Sequence, residues 1–220
     1  MNASDAAGVS GRTIVLAGAT SDSGLAVARA LIAAGAHAVA TGRSAARLEP
    51  LHAAGAQVEI ADATSLSDMT ALAERLGTVD ALVPLVGGWR GGGGLAGQSD
   101  EDFLALLPAL EAVRATSRAF DAALRAAEAG RFAIVSSTAV ARPLAGGANY
   151  AAVKAASEAW TRAVAQGFAK TARDAGEPLR AASVVFRAKA LDSESLAHAI
   201  AGLWDDDATE LNDRIIDLDA

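Results

Sequence analysis

Short apolar, β-branched runs alternate along the chain with longer stretches whose apolar residues recur at helical spacing. Thr13-Ile14-Val15-Leu16-Ala17 predicts a strand, and after a loop of small residues the spacing over 25–32 predicts a helix. Gly35, able to take positive φ, ends that helix, and residues 36–41 predict a second strand, so one strand-helix-strand unit is complete by Arg43. The same alternation then predicts helices over 45–54, 67–76, 100–127, 150–171 and 193–203. Between and after them it predicts strands over 57–61, 81–86, 132–136, 179–186 and 214–218. Such alternation implies an α/β fold, a single doubly wound parallel sheet of about seven strands flanked by helices. No Pro/Ser-rich linker divides the chain, so the reading is one domain over 11–220 behind a flexible tail over 1–10, which mixes Asn2, Ser4, Asp5 and Ser10 with small residues.

Composition narrows the chemistry. A chain of 220 residues fits one domain, and with no cysteine it has no disulfide, thiolate metal site or thiol nucleophile. A reducing, cytoplasmic setting is the expectation. Lys+Arg 19 against Asp+Glu 26 gives a net charge of -7, which argues against nucleic acid and anionic membrane as partners. Apolar stretches are broken by Arg29, His37 and Arg43, short of the roughly 18 residues of a membrane span, and the first residues lack the pattern of a signal peptide. His37, His52 and His198 lack metal-ligand spacing, so no metal site is expected. Lysine occurs only at 154, 170 and 189.

Four places carry candidate chemistry. Gly18-Ala19-Thr20-Ser21-Asp22-Ser23-Gly24 joins the first strand to the first helix, where a backbone turns tightly and aims amide groups at a pyrophosphate; steric need alone also produces such turns. Asp22 would repel phosphate, and its expected role is to cap the helix beginning near Ser23. After the second strand, Thr41-Gly42-Arg43 offers a guanidinium that matches a ribose 2′-phosphate, or is an exposed turn arginine; Asp62 either accepts from an adenine amino group or begins a turn or caps a helix. The run Gly87-Gly88-Trp89-Arg90-Gly91-Gly92-Gly93-Gly94 is a floppy loop or a substrate-facing wall at a strand's carboxyl end. In Tyr150-Ala151-Ala152-Val153-Lys154 the chain's single tyrosine and a rare lysine share a helical face, so the ammonium favours the ionised phenol, while Ser137 at a neighbouring strand end can hold a substrate oxygen.

In this order the motifs resemble the short-chain dehydrogenase/reductase family over residues 11–218, including Val79-Asp80-Ala81-Leu82-Val83 leading into Val86-Gly87. The resemblance implies a Rossmann-type fold and hydride transfer between a nicotinamide and a small carbonyl or alcohol substrate. NADP is the expected cofactor, with NAD possible. It implies Tyr150 as general acid/base, Lys154 as the group that binds the nicotinamide ribose and lowers the tyrosine pKa, and Ser137 as the carbonyl polariser. Cofactor contacts are implied at Gly18, Thr20, Ser21, Asp22, Gly24, Arg43, Asp62, Ala63, Val86, Gly87, Tyr150 and Lys154. A homodimer or homotetramer is implied, formed through the helices over 100–127 and 150–171.

The chain departs from the family at several places. Asp22 replaces the middle glycine of the turn and Ser23 the hydrophobic residue after it; Pro84-Leu85-Val86-Gly87 replaces Asn-Asn-Ala-Gly; and the relay asparagine falls near Leu110, with Ala109 and Glu111 beside it. Gly88-Trp89 is locally similar to dihydropteridine reductase and related bacterial members. Phe186-Arg187-Ala188-Lys189-Ala190-Leu191-Asp192 leaves little room for a substrate lid, so Arg187 and Lys189 either border the cofactor site or are solvated loop cations. These departures sustain an alternative: a catalytically weakened dinucleotide-binding regulator or interaction module.

Overall fold

Alternate residues of the first strand belong to different cores. In the computed structural model, which describes residues 8–219, β1 (Thr13–Ala17) sends Ile14 and Leu16 to one face of the sheet, where they meet Val27 and Leu31 of α1 (Asp22–Ala33) and Leu48 and Leu51 of α2 (Ala45–Ala53). Leu196 and Ile200 of α6 (Ser193–Ala201) complete that layer. Val15 and Ala17 face the other way, toward Met69 and Leu72 of α3 (Leu66–Leu76), Val113 and Phe120 of α4 (Asp100–Ala126) and Phe168 of α5 (Ala148–Ala175). With both faces covered, the strands read as continuous apolar runs rather than as alternating ones.

Among the described residues the sheet has seven strands, all parallel. β1 is joined by β2 (His37–Gly42), β3 (Gln57–Ile60), β4 (Ala81–Pro84), β5 (Arg131–Ser137), β6 (Ala182–Ala188) and β7 (Ile215–Asp217), in the order β3-β2-β1-β4-β5-β6-β7. The chain winds outward from β1 to β3, then returns to place β4 on β1's other side. That reversal opens a crevice at the strands' carboxyl ends, where ligands bind in sheets of this kind.

Several boundaries differ from the sequence reading, each for a local reason. β4 ends at Pro84 rather than at 86, although the Leu85 amide still donates to the Ala17 carbonyl at 2.8 Å. β6 begins at Ala182, not 179, because the Arg180 carbonyl accepts from the Arg131 guanidinium at 3.1 Å. The last predicted helix stops at Ala201 and tightens into a 3-10 turn over Gly202–Trp204, and a short helix α7 (Ala208–Leu211), capped by Asp207, was not anticipated. α5 is longer at both ends and stops at Gly176, whose φ of 67° is left-handed. Of the expected tail, residues 1–7 lie outside the described residues. Val9 is buried and the Gly8 carbonyl accepts from Arg12 Nε at 2.8 Å, so packing starts before residue 11.

A buried arginine braces the opposite end of the sheet. Arg131, at the amino end of β5, donates to the carbonyls of Leu203, Gly130, Arg180 and Asp206 at 2.6 to 3.2 Å. Desolvation, then repulsion from Arg12, pulls its pKa down to about 10, opposed by Asp207. It remains charged at neutral pH, with backbone dipoles taking the place of water.

Candidate active site

The turn between β1 and α1 is shaped by close approach. Gly18 has φ of 78°, and a Cβ there would lie 2.4 Å from Val86 Cγ2; a Cβ at Gly24 would lie 2.2 Å from the Ala19 carbonyl oxygen. The Gly18 amide donates to Thr41 Oγ1 at 3.0 Å and the Ala19 amide to the Thr41 carbonyl at 3.0 Å, so a fully buried threonine ties the turn to the end of β2. Ser21, not Asp22, caps the helix, its Oγ accepting from the Gly24 amide at 3.1 Å. The expectation for Asp22 is corrected accordingly: it is the first helical residue, and its carboxylate sits beside the positive end of the helix dipole.

Two clefts open at the carboxyl ends of the strands. The first, about 390 Å³, brings together Gly18, Thr20, Ser21, Arg43, Asp62, Ala63, Val86 and Gly87 from the sequence-derived set. It adds Ser44 and Arg47, which the sequence reading missed; Arg47 Nη2 donates to the Thr20 carbonyl at 3.2 Å. Their signal was present in the spacing, because Arg43 and Arg47 are four residues apart at the start of a helix. The Arg43 side chain is 78% exposed and its Nη1 stands 3.9 Å from Asp62 Oδ2. Asp62 closes a turn rather than capping a helix, its Oδ1 accepting from the Thr64 amide and hydroxyl at 2.9 and 2.8 Å; Ser65 caps α3.

The second cleft, about 260 Å³, is walled by Ser21, Ser23 and Gly24 at the start of α1, by Val86 to Trp89, by Ser136, Tyr150 and Lys154, and by Lys189 and Leu191. The glycine-rich run is therefore a cleft wall at Gly87, Gly88 and Trp89. Its far end is fastened. The Gln98 carboxamide donates to the carbonyls of Gly92, Gly94 and Gly146 at 3.0 to 3.2 Å and accepts from the Asn149 amide at 3.1 Å. Only Lys189, Ala190 and Leu191 lie between β6 and Asp192, the cap of α6, which leaves no segment long enough for a large lid.

Tyr150 and Lys154 share one face of α5, with the ammonium 5.8 Å from the centre of the phenol ring. Lys154 Nζ donates to the Val135 carbonyl at 2.8 Å. Burial pulls its pKa from 10.5 to about 8, against an opposing pull from Glu158. Ser137 is buried and does not line the cleft; Ser136 does. Ser137 Oγ accepts from the Ala139 amide at 3.2 Å, and no acceptor for its proton is found among the described residues. Ala109 and Leu110, where the relay asparagine was sought, pack with Leu106, Val153 and Tyr150, so α4 presents apolar side chains there.

Arg187 does not behave as a solvated loop cation. Its Nε and Nη2 hold Glu158 at 2.9 and 2.6 Å, and Glu158, 5% exposed, also accepts from Ser136 Oγ at 2.6 Å. This ion pair was illegible in the sequence because its partners are 29 residues apart. Lys189 does border the second cleft, and its amide donates to the Asp219 carboxylate. Among the described residues no cluster of His, Asp or Glu can hold a metal ion.

The donor set fits a dinucleotide. A tight turn whose glycines leave no room for a Cβ, a serine-capped helix start, two arginines at one end and a lysine at the other lie along the switch point of the sheet. A family model described as short chain dehydrogenase matches residues 12–172. Among solved structures, a metagenomic short-chain oxidoreductase in complex with NADP is 25% identical, with a TM-score of 0.76 over 95% of this chain and 97% of that one. A short chain dehydrogenase from Salmonella enterica subsp. enterica serovar Typhi is 16% identical, TM-score 0.82, over 96% and 97%. A short-chain type dehydrogenase/reductase from Mycobacterium ulcerans is 18% identical, TM-score 0.79, over 94% and 88%. None of the curated proteins compared matches the chain. Model, fold and crevice agree: the chain belongs to the short chain dehydrogenase family, oxidoreductases that use a nicotinamide dinucleotide.

Proposed function

We propose that the protein is an NADP-preferring reductase or dehydrogenase acting on a small carbonyl or alcohol. The observation that carries the NADP preference is the first cleft, where Arg43, Ser44 and Arg47 stand together and β2 ends in glycine rather than in a carboxylate. Guanidinium groups match a 2′-phosphate in charge and in fork geometry. Gly18, Thr20, Ser21, Asp22 and Gly24 would bind the pyrophosphate, Asp62 and Ala63 the adenine end, and Val86, Gly87, Tyr150 and Lys154 the nicotinamide end. The cofactor, when bound, supplies or accepts the hydride.

The chain's own residues handle the proton and the oxygen. Tyr150 Oη exchanges the proton with the substrate oxygen, and Lys154 holds positive charge beside that phenol. Ser137, at the end of β5 next to the cleft-lining Ser136, is assigned the hydroxyl that holds the same oxygen. Trp89 and Leu191 supply apolar walls, and their exposure of 64% and 41% fits an open pocket that takes varied substrates. The apolar packing of Ala109 and Leu110 supports the second reading, a dinucleotide-binding regulator with weakened turnover.

A panel of ketones and aldehydes with NADPH separates the two. Under the enzyme reading, wild type oxidises NADPH with at least one substrate, and Tyr150→Phe lowers kcat by at least about a hundredfold while NADPH still binds. Unchanged turnover in Tyr150→Phe refutes the proton role. Tight NADPH binding with no turnover across the panel supports the regulator instead.

A further inference from the structure

Lys154 has one hydrogen-bond partner among the described residues, the Val135 carbonyl at the end of β5. What holds that strand end is a side chain one helical turn along from the lysine. Glu158, nearly inaccessible to solvent, receives Ser136 Oγ from β5 at 2.6 Å, and Arg187 Nε and Nη2 from β6 at 2.9 and 2.6 Å. Residues four apart lie over one another on a helix, so the carboxylate and the ammonium share a face of α5.

We propose that Glu158 is a positioning residue for Lys154: by gathering Ser136 and Arg187 it fixes the strand end whose carbonyl receives the ammonium, and it places one negative charge toward that ammonium. Its consequence for turnover rests on the oxidoreductase reading; the network itself does not.

The surroundings make this carboxylate matter. Glu158 acts on Lys154 from α5 and Tyr150 sets its ring 5.8 Å from the ammonium, while Arg187 of β6 reaches the Glu158 carboxylate and Lys189, in the short segment after β6, lines the same cleft as the lysine. Asp217 of β7 acts on Arg187 rather than on the lysine. In the glycine-rich run, Arg90 is paired with Asp102 at 3.8 Å, and α4 offers Leu106, Ala109 and Leu110 to the Tyr150–Val153 stretch. Among these groups Glu158 is the anion that opposes the desolvation of Lys154. Its two hydrogen-bonded partners are on separate strands, so the charge cannot swing away without breaking the tie between β5, β6 and α5. Replacing the glutamate with glutamine removes the one charge that offsets both the Arg187 cation and the Lys154 ammonium, and sets an amide N–H against a guanidinium donor. Replacing Arg187 with glutamine removes a cation and leaves the carboxylate to Ser136 and Lys154. The two changes therefore move the lysine in opposite directions, which a merely structural role would not do.

The chain's three lysines make the test direct. Protein labelled with carbon-13 at the lysine ε position gives three resonances, and Lys154→Arg assigns the one of interest without cofactor or substrate. Wild-type Lys154 is expected to titrate at about 8. In Glu158→Gln its titration falls by about one pH unit or more, in Arg187→Gln it rises, and in Glu158→Asp it returns toward wild type. The basic limb of NADPH turnover follows the same shifts. A Lys154 titration that stays in place in folded Arg187→Gln and Glu158→Gln overturns the proposal, and if Glu158→Gln fails to fold, an unmoved lysine in Arg187→Gln is sufficient to overturn it. Shifts as described in a protein that binds no nicotinamide dinucleotide uphold the network and reject the oxidoreductase reading.

Discussion

Lys154 and Ser21 show how single side chains trade stability against chemistry. Because the folded protein holds Lys154 at about 8 against 10.5, the unfolded chain binds more protons between those values. Stability from this group is complete above pH 10.5 and is lost as pH falls through about 8, a difference of about 3 kcal/mol. Lys154→Met is expected to flatten that part of the stability curve, measured by urea unfolding at pH 7 and pH 10; an unchanged slope contradicts the depressed titration. Ser21→Ala removes the cap and is expected to cost about 1 kcal/mol, seen as a Tm lower by roughly 2 to 4 °C. That Tyr150 and Lys154 share a face of α5 was legible in the sequence, because a helix puts residues four apart on one side. Asp22 was misread as the cap because the helix begins one residue before Ser23, and several polar residues in a row compete for that position. Glu158 could not be found at all, since nothing local marks a partner on another strand.

The elements were legible where one periodicity ran unbroken. β1, α1 and α3 lie within a few residues of their predicted spans, because their apolar positions alone decide what they bury. β6 was misplaced by three residues because Leu179 is apolar enough to extend the run while Arg131 claims the neighbouring Arg180 carbonyl. The turn between β1 and α1 gives the sharpest element-level expectation. Gly24→Ala forces a Cβ against the Ala19 carbonyl at 2.2 Å, so α1 must move off β1, at a cost of about 3 kcal/mol and with loss of nucleotide affinity. Wild-type denaturation and affinity in that variant would refute the close approach. Gln98→Ala frees the glycine-rich wall and is expected to raise KM for substrate with less effect on kcat, read from steady-state kinetics. An equal fall in both kcat and kcat/KM would instead place Gln98 in the chemistry.

For the molecule as a whole, the doubly wound topology follows from strand-helix alternation, and with it the place of the crevice. What the alternation does not specify is which side chains converge there from distant segments, so the places of Arg47, Ser44 and Gln98, and the tie between Thr41 and the first turn, appeared only with the fold. No helix among the described residues is long and apolar enough to cross a membrane. We expect self-association through α4 and α5, whose outward surface carries a groove lined by Ser117, Trp160 and Gly167; light scattering that shows monomer alone at micromolar concentration removes that expectation. The two clefts are proposed above all to bind one nucleotide between them. Titration of the protein with NADPH and NADH, followed by energy transfer from Trp89, Trp160 and Trp204, in wild type and in the paired variant Arg43→Ala/Arg47→Ala, tests it most directly. The expected result is tighter binding of NADPH by at least about tenfold, with that preference lost in the variant and NADH affinity unchanged. Absence of binding by either nucleotide at millimolar concentration would contradict the account.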